Sequence, residues 1–382
     1  MSKFIKEHGY DERKINDFHY HNGRQCTNSE MTKFYRQHRE YLNLEKMLVL
    51  SLTEGATTYD PSSNMKALFS KEDDKDNMYA LASLHHFHDE RDSEEGFLRQ
   101  IKFFKEIGFD GVKMLEGKAE YKHIFPEKLD GELYNSLFKY AEETGFPILM
   151  HAGDVPNSEE MRLAFNNVRA EMLNVLEKYP NLKITFAHML FLSDNIEKLT
   201  EIFEKYHNVS VDLALGGFMR DISDNVENWR KFFIKYSDRI LFATDNWNMF
   251  FEGDDDFEVS CRYTPVRDWL EKKEEFTTRL FGPKAVFKPS LLPENVLDDI
   301  YRKNFVLILG EKPAKVNYPL ALKYAKWMLA EYENGNFNTS LRAKEMPSWY
   351  TEKEKENLLR GTELSIENLK EMIDYYSKIG EK

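Results

Sequence analysis

The chain has 382 residues, 41% of them hydrophobic and 14% aromatic, enough for one large domain with an appendage or for two domains. Its net charge of -13 argues against nucleic acid and against an anionic membrane surface as partners. Cysteine occurs only at Cys26 and Cys261, which excludes a disulfide framework and a cysteine-rich zinc motif.

The opening stretch, Met1 to His8, lacks the apolar core of a signal peptide, and no run approaches the roughly 18 apolar residues of a membrane span. A reducing cytoplasm is the expected compartment. The first ten or so residues read as a polar arm. Residues 14–18 lead into a first strand that carries Asp17-Phe18-His19-Tyr20-His21. Residues 47–52 and 79–84 read as the second and third strands. A helix follows over 94–107, with Phe97, Ile101, Phe104 and Ile107 on one stripe. Residues 111–115 form a fourth strand, and 133–144 a helix closed by Gly145. The fifth strand ends Ile148-Leu149-Met150-His151, and a helix over 159–179 is stopped by Pro180. The sixth ends Ile184-Thr185-Phe186-Ala187-His188, followed by a helix over 196–206. The seventh spans 209–213, and the eighth ends Leu241-Phe242-Ala243-Thr244-Asp245.

Short continuous apolar runs fit strands buried on both faces, as a parallel sheet requires. Eight of them alternating with helices predict an α/β fold, a (β/α)8 TIM barrel over residues 1–310. After Asp245 a long segment with Gly253-Asp254-Asp255-Asp256 reads as a loop plus helix over the barrel mouth. Its aromatics Trp247, Phe250, Phe251 and Phe257 are expected to wall a substrate pocket. Residues 297–309 read as the last barrel helix, and 311–382 as a helical extension packed on the barrel. That extension either braces the pocket or forms a contact in a homo-oligomer.

Several of these strands end in one ionisable side chain. A strand buried along its length presents its tip at the C-terminal end of the barrel, where such tips converge. His19 and His21 are two apart, so period-two geometry puts both rings on one face. With His151, His188 and Asp245 they suit a divalent metal with a carboxylate beside it. Taken singly, His19 and His21 read as polar loop residues, His151 and His188 as satisfied buried histidines and Asp245 as a turn cap; the set carries the weight. His86-Phe87-His88 repeats the spacing after the third strand, but lacks downstream partners. His86 and His88 therefore read as substrate-facing or as loop.

The ordered set Asp-x-His-x-His over 17–21, strand-end His151, strand-end His188 and strand-end Asp245 resembles the amidohydrolase superfamily. The closing Asn304-Phe305 with Leu309-Gly310 resembles the end of its amidohydrolase-related branch, which contains hydrolases, lactonases, hydratases and non-oxidative decarboxylases. The resemblance covers about residues 14–310. It implies that His19, His21 and His151 are metal ligands, that Asp245 is a ligand or the general base, and that His188 is a catalytic or second-metal histidine. Dinuclear members carry a carboxylated lysine on strand four, near where Lys113 falls. The branch resembled here often has a basic residue there without a bridge. Lys113 is therefore expected to reach into the mouth and bind an anionic substrate. Glu116 matches the strand-four glutamate of TatD-like nucleases, a reading opposed by the acidic charge, the extension and the Asn304 motif.

The function expected is a metal-dependent hydrolase that activates water for attack on a C–N or C–O bond of a small anionic molecule. Three imidazoles and a carboxylate suit Zn2+, with Mn2+ or another divalent ion as alternative. A metal-dependent decarboxylase or hydratase of a small carboxylic acid would use the same ligand set. An arginine near the metal would favour a carboxylate substrate, and Arg24, Arg220 and Arg262 are the candidates.

Overall fold

Strand β1 (Ile15–His21) starts a parallel sheet that runs in chain order through β2 (Leu44–Leu50), β3 (Met78–Ser83), β4 (Gly111–Gly117), β5 (Ile148–Ala152), β6 (Ile184–Phe186), β7 (Val209–Asp212) and β8 (Ile240–Leu241). A further strand, β9 (Asn246–Trp247), pairs with β1. This computed structural model describes residues 2–22, 25–53, 60–86, 93–118, 121–122, 125–153, 159–214, 218–247, 257–337 and 352–380. β8 pairs with β7 while β9 pairs with β1, so one segment joins the two edges of the sheet. Between them Phe18 N donates to Phe242 O at 3.1 Å and Asp245 N donates to His19 O at 2.8 Å. These bonds close the sheet into the expected TIM barrel.

Side chains alternate as a closed parallel sheet demands. Leu48 and Leu50 of β2, Tyr79 and Leu81 of β3, Leu149 of β5 and Leu241 of β8 share the interior cluster with Phe18. Their neighbours Met47, Val49, Met78, Ala80, Ile148, Met150 and Ile240 belong to the outer core under the helices. Phe305 plugs the interior edge-on to Phe18 (5.7 Å) and Tyr79 (5.0 Å). Asn304 donates to Ser237 O at 2.6 Å and Ile240 O at 2.7 Å, tying the last helix to the start of β8. The Asn304-Phe305 pair thus has a mechanical reason.

Helix Asn28–Tyr41 starts at a capping box between Thr27 and Glu30. Helix Glu94–Ile107 follows the predicted span, capped by Ser93 and ended by left-handed Gly108. Helices Glu132–Thr144, Glu159–Lys178 and Ile196–Lys205 also lie where the periodicity puts them. Helices Asn28–Tyr41, Ser63–Ser70, Met219–Asp224 and Val226–Lys235 join this layer outside the helical spans expected from the sequence.

Four expectations need correction. The first ten residues are not a polar arm: helix Lys3–Glu7 buries Phe4 and Ile5, with Phe4 against Tyr41 and Tyr263. The sixth strand stops at Phe186, and His188 lies in a turn where residues 188–191 all have φ between 51° and 56°. The eighth is broken in two, because Asp245 adopts φ 58°. The last barrel helix begins earlier, at Glu294, and runs through a π-helical turn, Asp299–Lys303, to Leu309. After helix Phe257–Glu271 a two-stranded hairpin, β10 (Phe276–Thr278) with β11 (Gly282–Phe287), was not anticipated.

Beyond the barrel lie helices Tyr318–Glu333, Glu352–Leu359 and Gly361–Gly380. Their approach is fixed by Asp110, which accepts from Ala314 N at 2.7 Å and from Lys71 Nζ at 2.7 Å, and by Asn317 N donating to Ile107 O at 2.9 Å. Among the described residues no helix is long and apolar enough to cross a membrane.

Candidate active site

At β1 three residues, Phe18 to Tyr20, advance the register against two of β2. This bulge sends Phe18 into the interior and lets His19 and His21 both face the mouth. The β8–β9 break does the matching work opposite. Asp17 accepts from Thr244 N at 3.0 Å, Thr244 Oγ1 at 2.6 Å and His19 N at 3.1 Å. With this seam pinned, the left-handed kink at Asp245 turns its carboxylate back over β1; Asp tolerates that conformation better than most residues.

The result is a tight triangle. His19 Nε2 and His21 Nε2 lie 2.9 Å apart, and Asp245 Oδ1 lies 3.2 Å from the first and 3.0 Å from the second. All three ligand atoms fall within 4.8 Å of one another. A metal–ligand distance of about 2.0–2.1 Å sets donor separations at roughly 2.9–3.4 Å, for octahedral to tetrahedral angles. The triangle fits a divalent ion on that ground. Its chemistry agrees. Asp212 Oδ2, 2.8 Å from His19 Nδ1, can only accept when ionised, so Nδ1 carries the proton and Nε2 turns a lone pair toward the other two donors.

Asp212, fully buried at the end of β7, also accepts from His188 N at 2.8 Å and Ala214 N at 3.1 Å. One carboxylate thus holds His19 and the left-handed turn that carries His188. The sequence reading missed it, although 209–213 shows the same apolar run ending in a carboxylate.

His188 and His151 sit beside the triangle. The ring centroids of His19 and His188 are 5.3 Å apart, and those of His188 and His151 5.0 Å. His151 Nε2 is buried without a hydrogen-bond partner, an orphan that a ligand would satisfy. Phe191, at the end of the left-handed turn, lies 5.2 Å from both rings. At the other end Trp247 packs 4.9 Å from His21, next to a cluster of Leu52, Leu115, Tyr121 and Phe125. Phe191 and Trp247 thus stand at the two ends of a run of contacting rings.

Among the described residues, Lys113 and Arg262 reach the group. Lys113, buried on β4, places Nζ 3.5 Å from His19 Nε2. Arg262, from helix Phe257–Glu271, donates to the backbone oxygen of Asp245 and lies 3.1 Å from its Oδ2. Of the other arginines proposed, Arg220 stacks on Phe281 instead, and Arg24 lies outside the described residues. His86 is drawn to Glu116, 2.6 Å away, with its ring stacked on Phe125. It backs the Trp247 cluster and is not part of the histidine group. His88, Phe250, Phe251 and the side chain of Phe257 lie outside the described residues.

Burial dominates the protonation of the site. It pushes His19, His21, His151 and His188 below the usual imidazole range, with Lys113 adding to the effect. Each lowering favours the neutral imidazole, the form that binds metal, while Asp245 draws His19 and His21 the other way. Burial lowers Lys113 to about 8, against the pull of Asp212 and Asp245. Burial alone would raise Asp245, but His19, His21 and Arg262 outweigh it and hold the carboxyl well below the usual range.

The amidohydrolase family model matches residues 82–304, more than half of the chain. The match starts within β3, so it takes in Lys113, His151, His188 and Asp245 but not His19 or His21. The uncharacterized TIM-barrel protein Bb4693 from Bordetella bronchiseptica is similar in fold, with a TM-score of 0.53 at 13% identity over 78% of this chain and 99% of that one. A 2,6-dihydroxybenzoate decarboxylase gives 0.49 at 14% identity over 78% and 99%. A 4-oxalomesaconate hydratase from Rhodopseudomonas palustris gives 0.48 at 13% over 83% and 99%. No curated protein sequence matches the chain. With the match spanning more than half its length and the barrel carrying strand-end histidines and a strand-end aspartate, the chain belongs to the amidohydrolase family.

Proposed function

We propose that the protein is a metal-dependent hydrolase that cleaves a C–N or C–O bond of a small anionic substrate with water. The observation that carries this reading is the triangle of His19, His21 and Asp245, with Asp212 fixing the tautomer of His19 from behind. In this reading His19, His21, His151 and Asp245 hold the ion, Zn2+ before Mn2+ on the donor set. Bound there, an ion would supply Lewis acidity, which lowers the pKa of water from near 16 to about 7.

The remaining steps belong to the chain's own groups. Asp245, ionised at neutral pH, takes the proton of the attacking water and passes it to the leaving group. His188, neutral and anchored through its backbone to Asp212, polarises the substrate oxygen and steadies its developing charge. Lys113 neutralises an anionic group beside the metal ligands, and Arg262 offers its remaining donors to a carboxylate. Trp247 and the apolar cluster behind it take the uncharged body of the substrate, with His86 backing that wall.

A lyase acting on a small carboxylic acid is the second reading, and the placement of Arg262 against Asp245 favours it. One experiment addresses both. Protein loaded with Zn2+ or Mn2+ is given a panel of lactones, amides and carboxylic acids, and products are resolved by mass. Net addition of water with bond cleavage supports the first reading, and loss of CO2 or addition across a double bond the second. Absence of metal binding, with His19→Ala indistinguishable from the parent, would remove the basis of both.

A further inference from the structure

We infer that the C-terminal helices are part of the active-site architecture, with Asn368 and Ser365 acting as positioning residues for the segments that leave β1 and β2 at the mouth. The reasoning starts at Asn368, which is 2% exposed in the middle of helix Gly361–Gly380. Its Oδ1 accepts from Asn28 N at 2.9 Å, and its Nδ2 donates to Cys26 O at 2.8 Å. Asn28 Nδ2 donates in return to Asn368 O at 3.0 Å and to Glu371 Oε2 at 2.9 Å. One side-chain amide therefore reads the backbone of the stretch that follows His21.

A second path reaches the same place from the other side. Ser62 N donates to Tyr332 OH at 3.3 Å, and Ser62 Oγ lies 3.3 Å from Ser365 Oγ. Ser62 is held by Asp60, whose buried carboxylate pairs with Lys66 at 2.7 Å, and Lys66 donates to Gln25 Oε1 at 3.0 Å. The next residue, Ser63, donates to Asn22 Oδ1 at 2.6 Å and accepts from Leu52 N at 2.8 Å, while Asn22 Nδ2 donates to Ser63 O at 3.0 Å. Asn22 directly follows His21. The hydrogen bonds therefore run from the C-terminal helices to the residue beside a proposed metal ligand. A third contact, Tyr324 OH with His85 Nε2 at 2.8 Å, serves the end of β3, where Asn64 also pairs with the backbone of Ser83.

Barrel closure needs none of these bonds. An extension that only covered the outer helices would be served by apolar packing there, which it also has. A buried polar chain demands that each member keep its geometry, or a donor is left unsatisfied. It is thus suited to transmit position, and here it ends at the mouth.

The consequence for metal binding rests on the metal-site reading above; the positional claim does not. Asn368→Leu keeps volume and removes both amide contacts. Tyr375→Phe is the control, since it removes an equally specific bond of the same helix, Tyr375 OH to Glu72 at 2.6 Å, beyond the far end of helix Ser63–Ser70. Amide hydrogen exchange of the peptide spanning β1 to Asn28 is compared in the full-length parent and both variants, beside Zn2+ affinity by chelator competition. The expected result is exchange about tenfold faster in Asn368→Leu and unchanged in Tyr375→Phe, with Zn2+ affinity about tenfold weaker in the former only. Unchanged exchange in Asn368→Leu, or an equal rise in both variants, overturns the inference. If the parent itself binds no Zn2+, the metal reading fails while exchange still decides the positional claim. Should Asn368→Leu not fold, Ser365→Ala is judged by the same exchange measurement and the same threshold.

Discussion

His19 Nδ1 on β1 and Asp212 Oδ2 on β7 lie 2.8 Å apart across the barrel interior, both fully buried. That contact decides which nitrogen of His19 faces the mouth. It also links β1 to the turn of His188, because the other oxygen of Asp212 holds His188 N and Ala214 N.

Asp212→Asn tests this linkage. The amide must put an NH2 where a donor already points, either at His19 Nδ1 or at the two backbone N–H groups. Metal affinity should fall about 10- to 100-fold, the usual cost of losing such an outer partner. Chelator competition measures it, and an unchanged affinity would show that His19 does not depend on Asp212.

Changing His19, His21 or His151 to Ala should strip the ion, whereas the parent should hold close to one ion per chain. Elemental analysis of protein grown with supplemented metal gives both numbers. Lys113 should be unmodified. A second ion, or an intact mass raised by one carboxylate, would contradict the single-metal reading.

Asp245→Asn should leave the fold intact and much of the metal bound, because His19 and His21 keep their places. Turnover should drop by about 10²- to 10⁴-fold if Asp245 moves the proton. Unchanged turnover would shift that role to another group.

Gly117→Ala probes the seat of His151. A Cβ at Gly117 would stand 2.3 Å from the carbonyl oxygen of His151, backbone that cannot swing aside. The strand must shift, at about 1–3 kcal/mol, and His151 with it. Lower stability in urea together with weaker metal binding is the expected pair of results. Lower stability alone would separate His151 from the ion.

His38, on helix Asn28–Tyr41 and packed on Tyr20, gives a pH signature of its own. Burial lowers its pKa from 6.5 to about 3, so below pH 6.5 the unfolded chain takes up a proton that the folded chain refuses. Its contribution is therefore fully present above pH 6.5 and lost as pH falls toward 3. The slope is about 1.4 kcal/mol per pH unit. His38→Phe should remove that slope from the difference between parent and variant in urea titrations from pH 7 to 4. A parallel pair of curves would show that His38 is protonated in the folded state.

The sequence by itself determined the barrel and most of the ionisable side chains gathered at its mouth. Period-two spacing put His19 and His21 on one face, and apolar runs ending in His151 and Asp245 announced buried strands with ionisable tips. These are local signals, set by residues a few positions apart, and local periodicity survives into the fold. The left-handed turn at residues 188–191, the break at Asp245 and the bulge in β1 were not legible, because each is imposed from a distant strand. Asp212 captures His188 N from β7, and Asp17 captures Thr244 from β1. The same holds for Arg262 at Asp245, Glu116 at His86 and Asn368 at Cys26. Such pairings join residues tens to hundreds of positions apart, and only closure of the barrel and docking of the C-terminal helices bring them within hydrogen-bonding reach.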